Sequence, residues 1–330
     1  VTAVFLSGIS GSGAADAAAL GKILIPSMRK QGYDDTFSAS LVAASASLGP
    51  IIPPSIVMVV YAAMTNISLG KLFLAGIVPG VVVAALYMVL VFIFAWKRRY
   101  PRDEWQGFRF AFRAFVDAIG AIVIPTLILA GMVGGYVGVT EVGAVICAYA
   151  CVLGFVYREM SWQKLVNACR DTAIGTGVIL FVIGVASLVG WIMAVGGLPQ
   201  AVASLIASVG SHKALVLLAV IAILLFLGLF LDGIAIMVIL VPVFVPMATA
   251  LGLDQLHFAM IIILAIIVGG IHPPVGMLVY VACQVGGVPP SLVTRSLTIW
   301  WFVLALVVAT LACAFVPVLV TGLPDALLGK

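Results

Sequence analysis

Long apolar runs, separated by short polar or glycine-rich breaks, make up most of the chain. Residues 214–231 contain no charged or strongly polar side chain. Similar runs cover 72–96, 118–136, 142–157, 173–195 and 297–318. About 20 such residues in a helix cross the ~30 Å hydrocarbon layer of a bilayer. Backbone groups must be paired in lipid, and these runs are too long and too uniformly apolar for barrel strands. The pattern therefore predicts an all-α polytopic membrane protein.

The composition agrees with this prediction. Of the 330 residues, 64% are hydrophobic and 8% are charged, whereas about 25% of an ordinary soluble domain is charged. The basic residues are dispersed over loops, which favours an orienting role at a membrane over nucleic-acid binding. The five cysteines form no CxxC pair, so we expect inert thiols.

A unit of roughly 70 residues occurs twice, with an offset of 220 positions, as in repeat architectures. The segment "ILIPSMRKQGYDD" (23–35) aligns with "VFVPMATALGLDQ" (243–255), and "SLGPIIPPSIVMVVYA" (47–62) aligns with "IVGGIHPPVGMLVYVA" (267–282). Helices precede the second copy over 117–220, so we expect roughly 100 further residues to precede the first copy in the complete protein.

Both copies follow the same plan. The order is a polar or glycine break (7–13; 232–233), an apolar helix ending near a proline (14–27; 234–248), a short loop (28–35; 249–256) and a helix broken by Gly and Pro-Pro (49–54; 269–274). Broken helices at membrane depth occur where the backbone lines a cavity or is buried in protein. A pair of them in two halves points to the binding site of a secondary transporter.

The loop charges predict inverted repeats. If 28–35 is cytoplasmic and each helical hairpin enters and leaves on one side, twelve Lys and Arg residues lie inside and three, Lys71, Lys213 and Lys330, lie outside. This is the positive-inside pattern, and it places 249–256 outside. The segment "PRDEWQGFRFAFRAF" (101–115) is typical of an amphipathic helix in the inner interface; an ordinary charged loop is the alternative.

The polar breaks supply the candidate chemistry. A helix N-terminus suits an anionic substrate, and unwound carbonyls with hydroxyls suit Na⁺. The candidates at the first tip and its matching break are Ser7, Ser10, Ser12, Asp16, Ser45 and Ser47. At the second tip Asp232 is the strongest candidate, because an ionisable group inside a membrane indicates function. Close packing of small residues is the alternative explanation of the first tip.

At these residues the sequence resembles the large membrane subunit of tripartite ATP-independent periplasmic (TRAP) transporters. The matching signatures are "SGISGSGAADAAALG", "AASASLGPIIPPSI", "GKLFLAGIVPG", "FLDGIAIMVILVPVFVP" and "HPPVG". The resemblance implies Na⁺-driven import of an organic acid, such as a dicarboxylate or sialic acid, across the bacterial inner membrane. It implies an elevator-type fold with two re-entrant hairpins and two broken helices, a small membrane subunit and a periplasmic binding protein as partners, and no enzymatic activity.

The resemblance also implies ligands by position. The first Na⁺ site would use Ser10, Ser12, Ser47, Gly49 and Pro50, and the second Asp232, Gly270, Ile271 and Pro273. Substrate contacts would come from Ser7, Ser10, Ser12, Asp16, Ser45, Asp232 and His272. The family usually has Thr at position 272 and Asn near Ala265. Because His272 can carry a proton, H⁺ is a hypothetical further coupling ion; packing or a substrate contact are the alternatives.

The same resemblance divides the chain into transport and scaffold parts. The expected segments are 1–64 (transport half 1), 65–116 (scaffold and interfacial arm), 117–212 (scaffold and connecting helices), 213–284 (transport half 2) and 285–330 (C-terminal scaffold).

Three other functions fit parts of the sequence. One is a carboxylate elevator without a binding protein, and another is a passive channel. The third is an intramembrane serine protease, since Gly8-Ile9-Ser10-Gly11 fits a GxSG nucleophile turn with His257 or His272 as the base. The protease predicts neither the repeat nor the Pro-Pro breaks.

Overall fold

The structure, a computed structural model, describes residues 2–100, 107–133, 139–197 and 213–329, and every regular element in these ranges is a helix. The first eight are α1 (Thr2–Ser10), α2 (Gly13–Lys30), α3 (Asp35–Ala46), α4 (Ile56–Thr65), α5 (Leu69–Lys97), α6 (Phe108–Val133), α7 (Val139–Val156) and α8 (Trp162–Val195). The others are α9 (Lys213–Gly228), α10 (Gly233–Ala250), α11 (Gln255–Ile271), α12 (Met277–Gly286), α13 (Pro290–Thr294), α14 (Leu297–Phe315) and α15 (Val318–Leu328).

The chain forms two structural units. The first comprises Val1–Asp103 with Met193–Lys330 and contains both repeat copies; the second comprises Glu104–Ile192. In the second unit α6 packs on α7, and the Tyr149 hydroxyl donates to the Gly120 carbonyl at 3.2 Å. Residues 101–106 of the expected interfacial helix lie outside the described residues, and 108–115 are the first turns of α6 rather than a helix of their own.

Four helices in the described part of the chain are long and apolar enough to cross a membrane: Leu69–Lys97, Trp162–Met193, Gly233–Ala250 and Leu297–Phe315. The prediction of a polytopic helical membrane protein is confirmed. The run at 214–231 differs from expectation, because α9 ends at Gly228 and a turn follows. With 16 residues, α9 is about 24 Å long at 1.5 Å per residue, which is shorter than a full span.

The sequence repeat is also a structural repeat. Helices α2 and α10 begin and end 220 residues apart, and so do the starts of α3 and α11. All four helices begin with a side-chain N-cap, from Ser12, Asp34, Asp232 and Asp254. The turns after α2 and α10 both contain a glycine with positive φ, Gly32 and Gly252.

The two broken helices differ in where they break. The first ends at Ala46 and resumes at Ile56, whereas the second ends at Ile271 and resumes at Met277. Gly269 and Gly270 are therefore helical. The sequence predicted a break over 269–274, and the predicted first residue of that break was wrong. The cause is Pro50, which has no N–H to donate to Ala46. Its equivalent Gly270 has one, so α11 continues to Ile271, two residues before Pro273.

The two copies run in opposite directions along α14. Asp34, which caps α3, accepts a hydrogen bond from Arg98, and Arg98 also donates to Thr298 in the first turn of α14. In the second copy His257, in the first turn of α11, contacts the carbonyl oxygen of Cys313 near the other end of α14 at 2.8 Å. The equivalent helix starts thus lie at opposite ends of one helix.

Loops that the charge pattern assigns to the same side of the membrane meet each other. At the end assigned to the cytoplasm, Arg29 pairs with Asp35 at 2.7 Å and donates to the carbonyl of Gly286. At the end assigned to the outside, Lys71 donates to the carbonyl of Gly329. Lys213, at the start of α9, donates to the carbonyl of Gly252 after α10. Helices α9 and α10 therefore form a hairpin whose open end is held together.

Candidate functional site

The tips of the two repeat copies converge on one cavity. Its volume is about 260 Å³. The tip residues on its wall are Gly11, Ser12, Gly13, Ala14, Asp232, Gly233 and Ile234. The broken helices contribute Pro50, Ile56, Val57, Ile266, Ile267, Gly270, Met277 and Leu278. The N-termini of α2 and α10 both border this space, since Gly13 and Gly233 are their first residues.

The first tip is held by a buried carboxylate. Asp16 lies in the first turn of α2 and is fully buried. Its carboxylate accepts hydrogen bonds from the hydroxyls of Ser7, at 3.0 Å, and Ser10, both on α1. Ser10 also accepts from the backbone N–H of Ser12 at 3.3 Å. The polar residues of the tip thus tie α1 to α2 directly behind the cavity wall.

The first tip also packs against the broken helix of its own repeat copy. The backbone N–H of Ile56, the first residue of α4, donates to the carbonyl of Gly11 at 3.1 Å. A Cβ at Gly13 would approach the carbonyl oxygen of Ala46, the last residue of α3, to 3.2 Å. The hairpin tip therefore fills the gap left by the broken helix.

The second tip carries an exposed carboxylate residue on the cavity wall instead of a buried one. Asp232 is exposed, and its side chain accepts from the backbone N–H of Ile234 at 3.0 Å. The tip packs closely on α11, because a Cβ at Gly233 would come within 2.6 Å of the Ile266 side chain. A neighbouring space of about 270 Å³, bounded by Tyr280 among others, shares Asp232 as part of its wall.

The sequence-predicted residues fall into three groups. Those on the cavity wall are Ser12, Pro50, Asp232 and Gly270. Those directly behind the first tip are Ser7, Ser10, Asp16 and Gly49. The remaining five, which are also absent from the cavity wall, are Ser45, Ser47, Ile271, His272 and Pro273.

The residues of the third group have other contacts. The hydroxyl of Ser47 donates to the Ala44 carbonyl at 2.7 Å and lies 3.1 Å from the hydroxyl of Tyr87 on α5. Ser45 lines a separate groove beside α5. The ring of His272 packs edge-to-face on Trp300, with centroids 4.9 Å apart. These side chains connect the repeat copies to α5 and α14.

Sequence reasoning missed the apolar wall. Its aliphatic members from the broken helices and the second tip are Ile56, Val57, Ile234, Ile266, Ile267, Met277 and Leu278. In a chain so rich in aliphatic residues such side chains have no chemical signature. The available signal was position: each lies within a few residues of a tip or a helix break.

Comparison with known proteins shows the family to which the chain belongs. Residues 1–319 match the family described as "Tripartite ATP-independent periplasmic transporter, DctM component". The chain belongs to this family. It is 35% identical over 330 residues to the sialic acid TRAP transporter large permease protein SiaM of Vibrio cholerae, covering 100% of this chain and 77% of that protein.

Two further relatives show the same relationship. The sialic acid TRAP transporter permease protein SiaT of Haemophilus influenzae is 33% identical over 326 residues, which cover 98% of this chain and 53% of the relative. The C4-dicarboxylate TRAP transporter large permease protein DctM of Pseudomonas aeruginosa is 33% identical over 323 residues, covering 98% and 75%. The predicted family is confirmed: the protein is a multi-pass inner-membrane transporter subunit and not an enzyme.

The geometry around Ser10 agrees with that conclusion. Its hydroxyl donates to Asp16. The Nε2 atom of His257 contacts the carbonyl of Cys313, and the His272 ring lies on Trp300. These contacts pair Ser10 with the Asp16 carboxylate, whereas the protease alternative needs a histidine as the base; the two histidines contact Cys313 and Trp300.

Proposed function

We propose that this protein imports an organic acid across the bacterial inner membrane and that a Na⁺ gradient drives the import. An elevator movement would carry the cavity, which lies between the two tips, across the membrane. The observation that supports this best is the convergence of two repeat-equivalent helix tips, at Ser12 and Asp232, on one cavity. The relatives named for sialic acid and for C4-dicarboxylates indicate that the family handles organic acids.

The substrate carboxylate would bind between the N-termini of α2 and α10. The first residues of both helices line the cavity. Helix N-termini present unpaired N–H groups and the positive end of the helix dipole, which favours anions. Since the two N-termini belong to opposite repeat copies, a bound carboxylate would link both halves of the transport domain.

A cation is needed beside such a substrate. The carboxylate of Asp232 lines the same cavity, and two like charges in a confined apolar space repel each other strongly. A Na⁺ ion at the second tip would offset this repulsion, with Asp232, Gly270, Ile271 and Pro273 as oxygen donors. Substrate and ion would then bind cooperatively, which is the basis of symport.

A second Na⁺ ion would bind at the first tip. The proposed donors are Ser10, Ser12, Ser47, Gly49 and Pro50. Ser12 and Pro50 border the cavity, and Pro residues at the break free carbonyls by removing helix hydrogen bonds. The Ser47 hydroxyl donates to the Ala44 carbonyl and lies within reach of the Tyr87 hydroxyl, so its oxygen keeps one lone pair for a cation. A role of H⁺ through His272 is a separate hypothesis.

The helix pairs α1–α2 and α9–α10 would be the re-entrant hairpins. The bond between Lys213 and Gly252 closes the open end of the second pair, and α9 is shorter than a span. A membrane hairpin that enters and leaves on one side has this form. We also propose the partners of the family arrangement: a small membrane subunit bracing the scaffold, a periplasmic binding protein that delivers the acid, and the surrounding lipid bilayer.

Uptake by proteoliposomes tests this proposal. The complete membrane complex is reconstituted, the periplasmic protein is added outside, and Na⁺ and pH gradients are imposed separately with radiolabelled organic acids. We expect accumulation that needs the Na⁺ gradient and the periplasmic protein. Accumulation without the periplasmic protein would favour the binding-protein-independent carrier. Ion conduction without substrate or Na⁺ coupling would favour a channel and contradict the proposal.

A further inference from the structure

The cavity between the tips has a lining that is mostly aliphatic. Helix N-termini, Ser12 and Asp232 lie at the two tips, whereas the remaining side chains are largely aliphatic, with Ile56, Val57, Ile266 and Ile267 among them. None of the described residues that line it is Lys, Arg or His. The wall thus offers polar groups at the tips for a charged group and aliphatic side chains for the rest of a ligand.

We propose that the transported substrate is a monocarboxylate with an aliphatic chain, and not a dicarboxylate or a polyhydroxylated acid. This inference rests on the proposed function and specifies its substrate class. The single carboxylate would lie at the N-termini of α2 and α10 beside the coupling cation. The aliphatic chain would lie against Val57 of α4 and against Ile266 and Ile267 of α11.

Electrostatics argues against a dicarboxylate. With the first carboxylate at the two helix N-termini, a second carboxylate would face either the aliphatic wall or the carboxylate of Asp232. An unpaired charge in apolar surroundings is costly to bury, and the described lining has no basic side chain to pair with it. A site built for two carboxylates would need such a partner at its far end.

Hydrogen bonding argues against a sugar acid. Each hydroxyl that leaves water needs a new partner, since an unmade hydrogen bond costs the desolvation of the group. The Ser12 hydroxyl is one of the few side-chain groups on the wall that could serve, and one of its two lone pairs already accepts from the N–H of Ala15 at 3.4 Å. The volume of about 260 Å³ is also near the lower end for small-molecule sites.

A homologous series of acids tests the inference in the reconstituted complex. Unlabelled straight-chain and branched monocarboxylates of three to six carbons compete with a labelled transported acid, beside succinate and sialic acid. Each added methylene is expected to lower the inhibitory concentration about fourfold, the value for burying one CH₂ group. Succinate and sialic acid are expected to compete only at far higher concentrations.

A matched pair of variants separates the contribution of the cavity to substrate preference from that of the binding protein. The same binding protein is used in all assays. Val57→Thr adds a hydroxyl to the cavity wall without changing the side-chain shape. Val59→Thr makes the same change two residues along α4 at an exposed position, 43% accessible, that is not part of the cavity lining. We expect Val57→Thr to weaken the preference for long over short chains about threefold to tenfold, and Val59→Thr to leave it unchanged.

The outcomes distinguish the inference from the function on which it rests. Na⁺-driven uptake of a dicarboxylate or sugar acid, with no gain along the methylene series, would overturn the inference and leave the proposed function standing. Equal chain-length preferences in the wild type and Val57→Thr, with both proteins folded by thermal unfolding, would also overturn it. Absence of Na⁺-driven uptake of every acid would contradict the proposed function itself.

Discussion

Gly49 lies directly against the carboxylate of Asp16: a Cβ placed on Gly49 would stand 2.5 Å from Asp16 Oδ2 and 3.3 Å from the backbone nitrogen of Gly13. The loop of the first broken helix and the first hairpin tip therefore touch with no room for a side chain. In the second copy the equivalent Gly269 lies against the backbone of Gly228 on α9 instead. The same glycine position thus brings different partners together in the two halves.

Gly49→Ala is expected to separate the first tip from its broken helix. Because the nearest atoms include buried backbone, the methyl group can be accommodated only by moving the tip, at a cost of about 1–3 kcal/mol for overpacking. We expect a lower unfolding temperature and strongly reduced uptake. Gly175→Ala is the control, since nothing lies within 4 Å of a Cβ there. Equal behaviour of the two variants would show that the contact is unimportant.

The buried carboxylate of Asp16 is a feature of the first copy alone. Its repeat equivalent is Ile236, which is also fully buried, so the fold accepts an aliphatic side chain at this position. Asp16→Ala leaves the buried Ser7 hydroxyl without its acceptor, which costs about 1–3 kcal/mol. Removing Ser7 as well, in Ser7→Ala/Asp16→Ala, should recover part of that loss.

Chemical unfolding of the four proteins in this cycle measures the coupling. We expect a coupling free energy of about 0.5–3 kcal/mol, the usual range for residues in contact. Ser40→Ala is the control partner, because the Ser40 hydroxyl bonds to Thr36 within its own helix. Additive effects of Ser7 and Asp16 would contradict the hydrogen-bond network.

The repeat was predictable from sequence because it depends on backbone chemistry. Prolines, glycines and capping side chains such as Asp34 and Asp254 fix where helices begin and end, and their spacing is visible in the chain. The register of the second break was not, because it depends on one difference between the copies: Pro50 ends α3 early, whereas Gly270 does not end α11.

The contacts of individual site side chains were less predictable. Ser47 and His272 were candidates because polar groups near a break suggest ligands, but their neighbours Tyr87 and Trp300 come from helices distant in sequence. Single-sequence periodicity gives no information about such pairs. The aliphatic wall, with Val57 as an example, resembles any other membrane-helix surface until the tips are brought together.

Asp232→Asn distinguishes two roles of the Asp232 side chain, the N-cap of α10 and the negative charge at the cavity. Asn caps helices about as well as Asp, so α10 should keep its N-terminus while the cavity loses a negative charge. We expect normal helicity and thermal stability, but at least a tenfold higher Na⁺ concentration for half-maximal uptake, or none at all. Asp254→Asn makes the same change at the N-cap of α11, away from the cavity, and should transport normally. An unchanged Na⁺ dependence in Asp232→Asn would exclude Asp232 from ion binding.

Arg98 connects α3, α5 and α14, and its variants should differ in a defined order. It pairs with Asp34 at 3.1 Å, donates to Thr298 at 2.8 Å and lies over the ring of Phe94 at 5.3 Å. The Asp34 pair is partly exposed and worth about 0–1 kcal/mol, so Asp34→Asn should hardly change stability. Arg98→Ala loses all three contacts and should lower the unfolding temperature clearly.

Thermal unfolding in detergent at low and high salt checks this order. The small effect of Asp34→Asn should vanish at high salt through screening, whereas most of the effect of Arg98→Ala should remain. Arg98→Lys should be intermediate, because a single ammonium cannot reproduce the planar guanidinium fork. If Asp34→Asn and Arg98→Ala lower the unfolding temperature equally, the ion pair with Asp34 is the contact of Arg98 that stabilises the protein, and the contacts with Thr298 and Phe94 contribute little.

His272 is expected to act through packing on Trp300 and not through a proton. The ring lies edge-to-face on the indole and is absent from the cavity lining; such pairs are worth about 0.5–1.5 kcal/mol beyond the area they bury. His272→Gln should therefore lower the unfolding temperature by a few degrees, as should Trp300→Leu, and the double variant should lose less than the sum. Uptake at a fixed Na⁺ gradient, measured between about pH 5 and 8, should keep its pH profile in His272→Gln. A profile that flattens in this variant, while Trp300→Leu retains the wild-type shape, would instead identify the imidazole as a proton-coupling group.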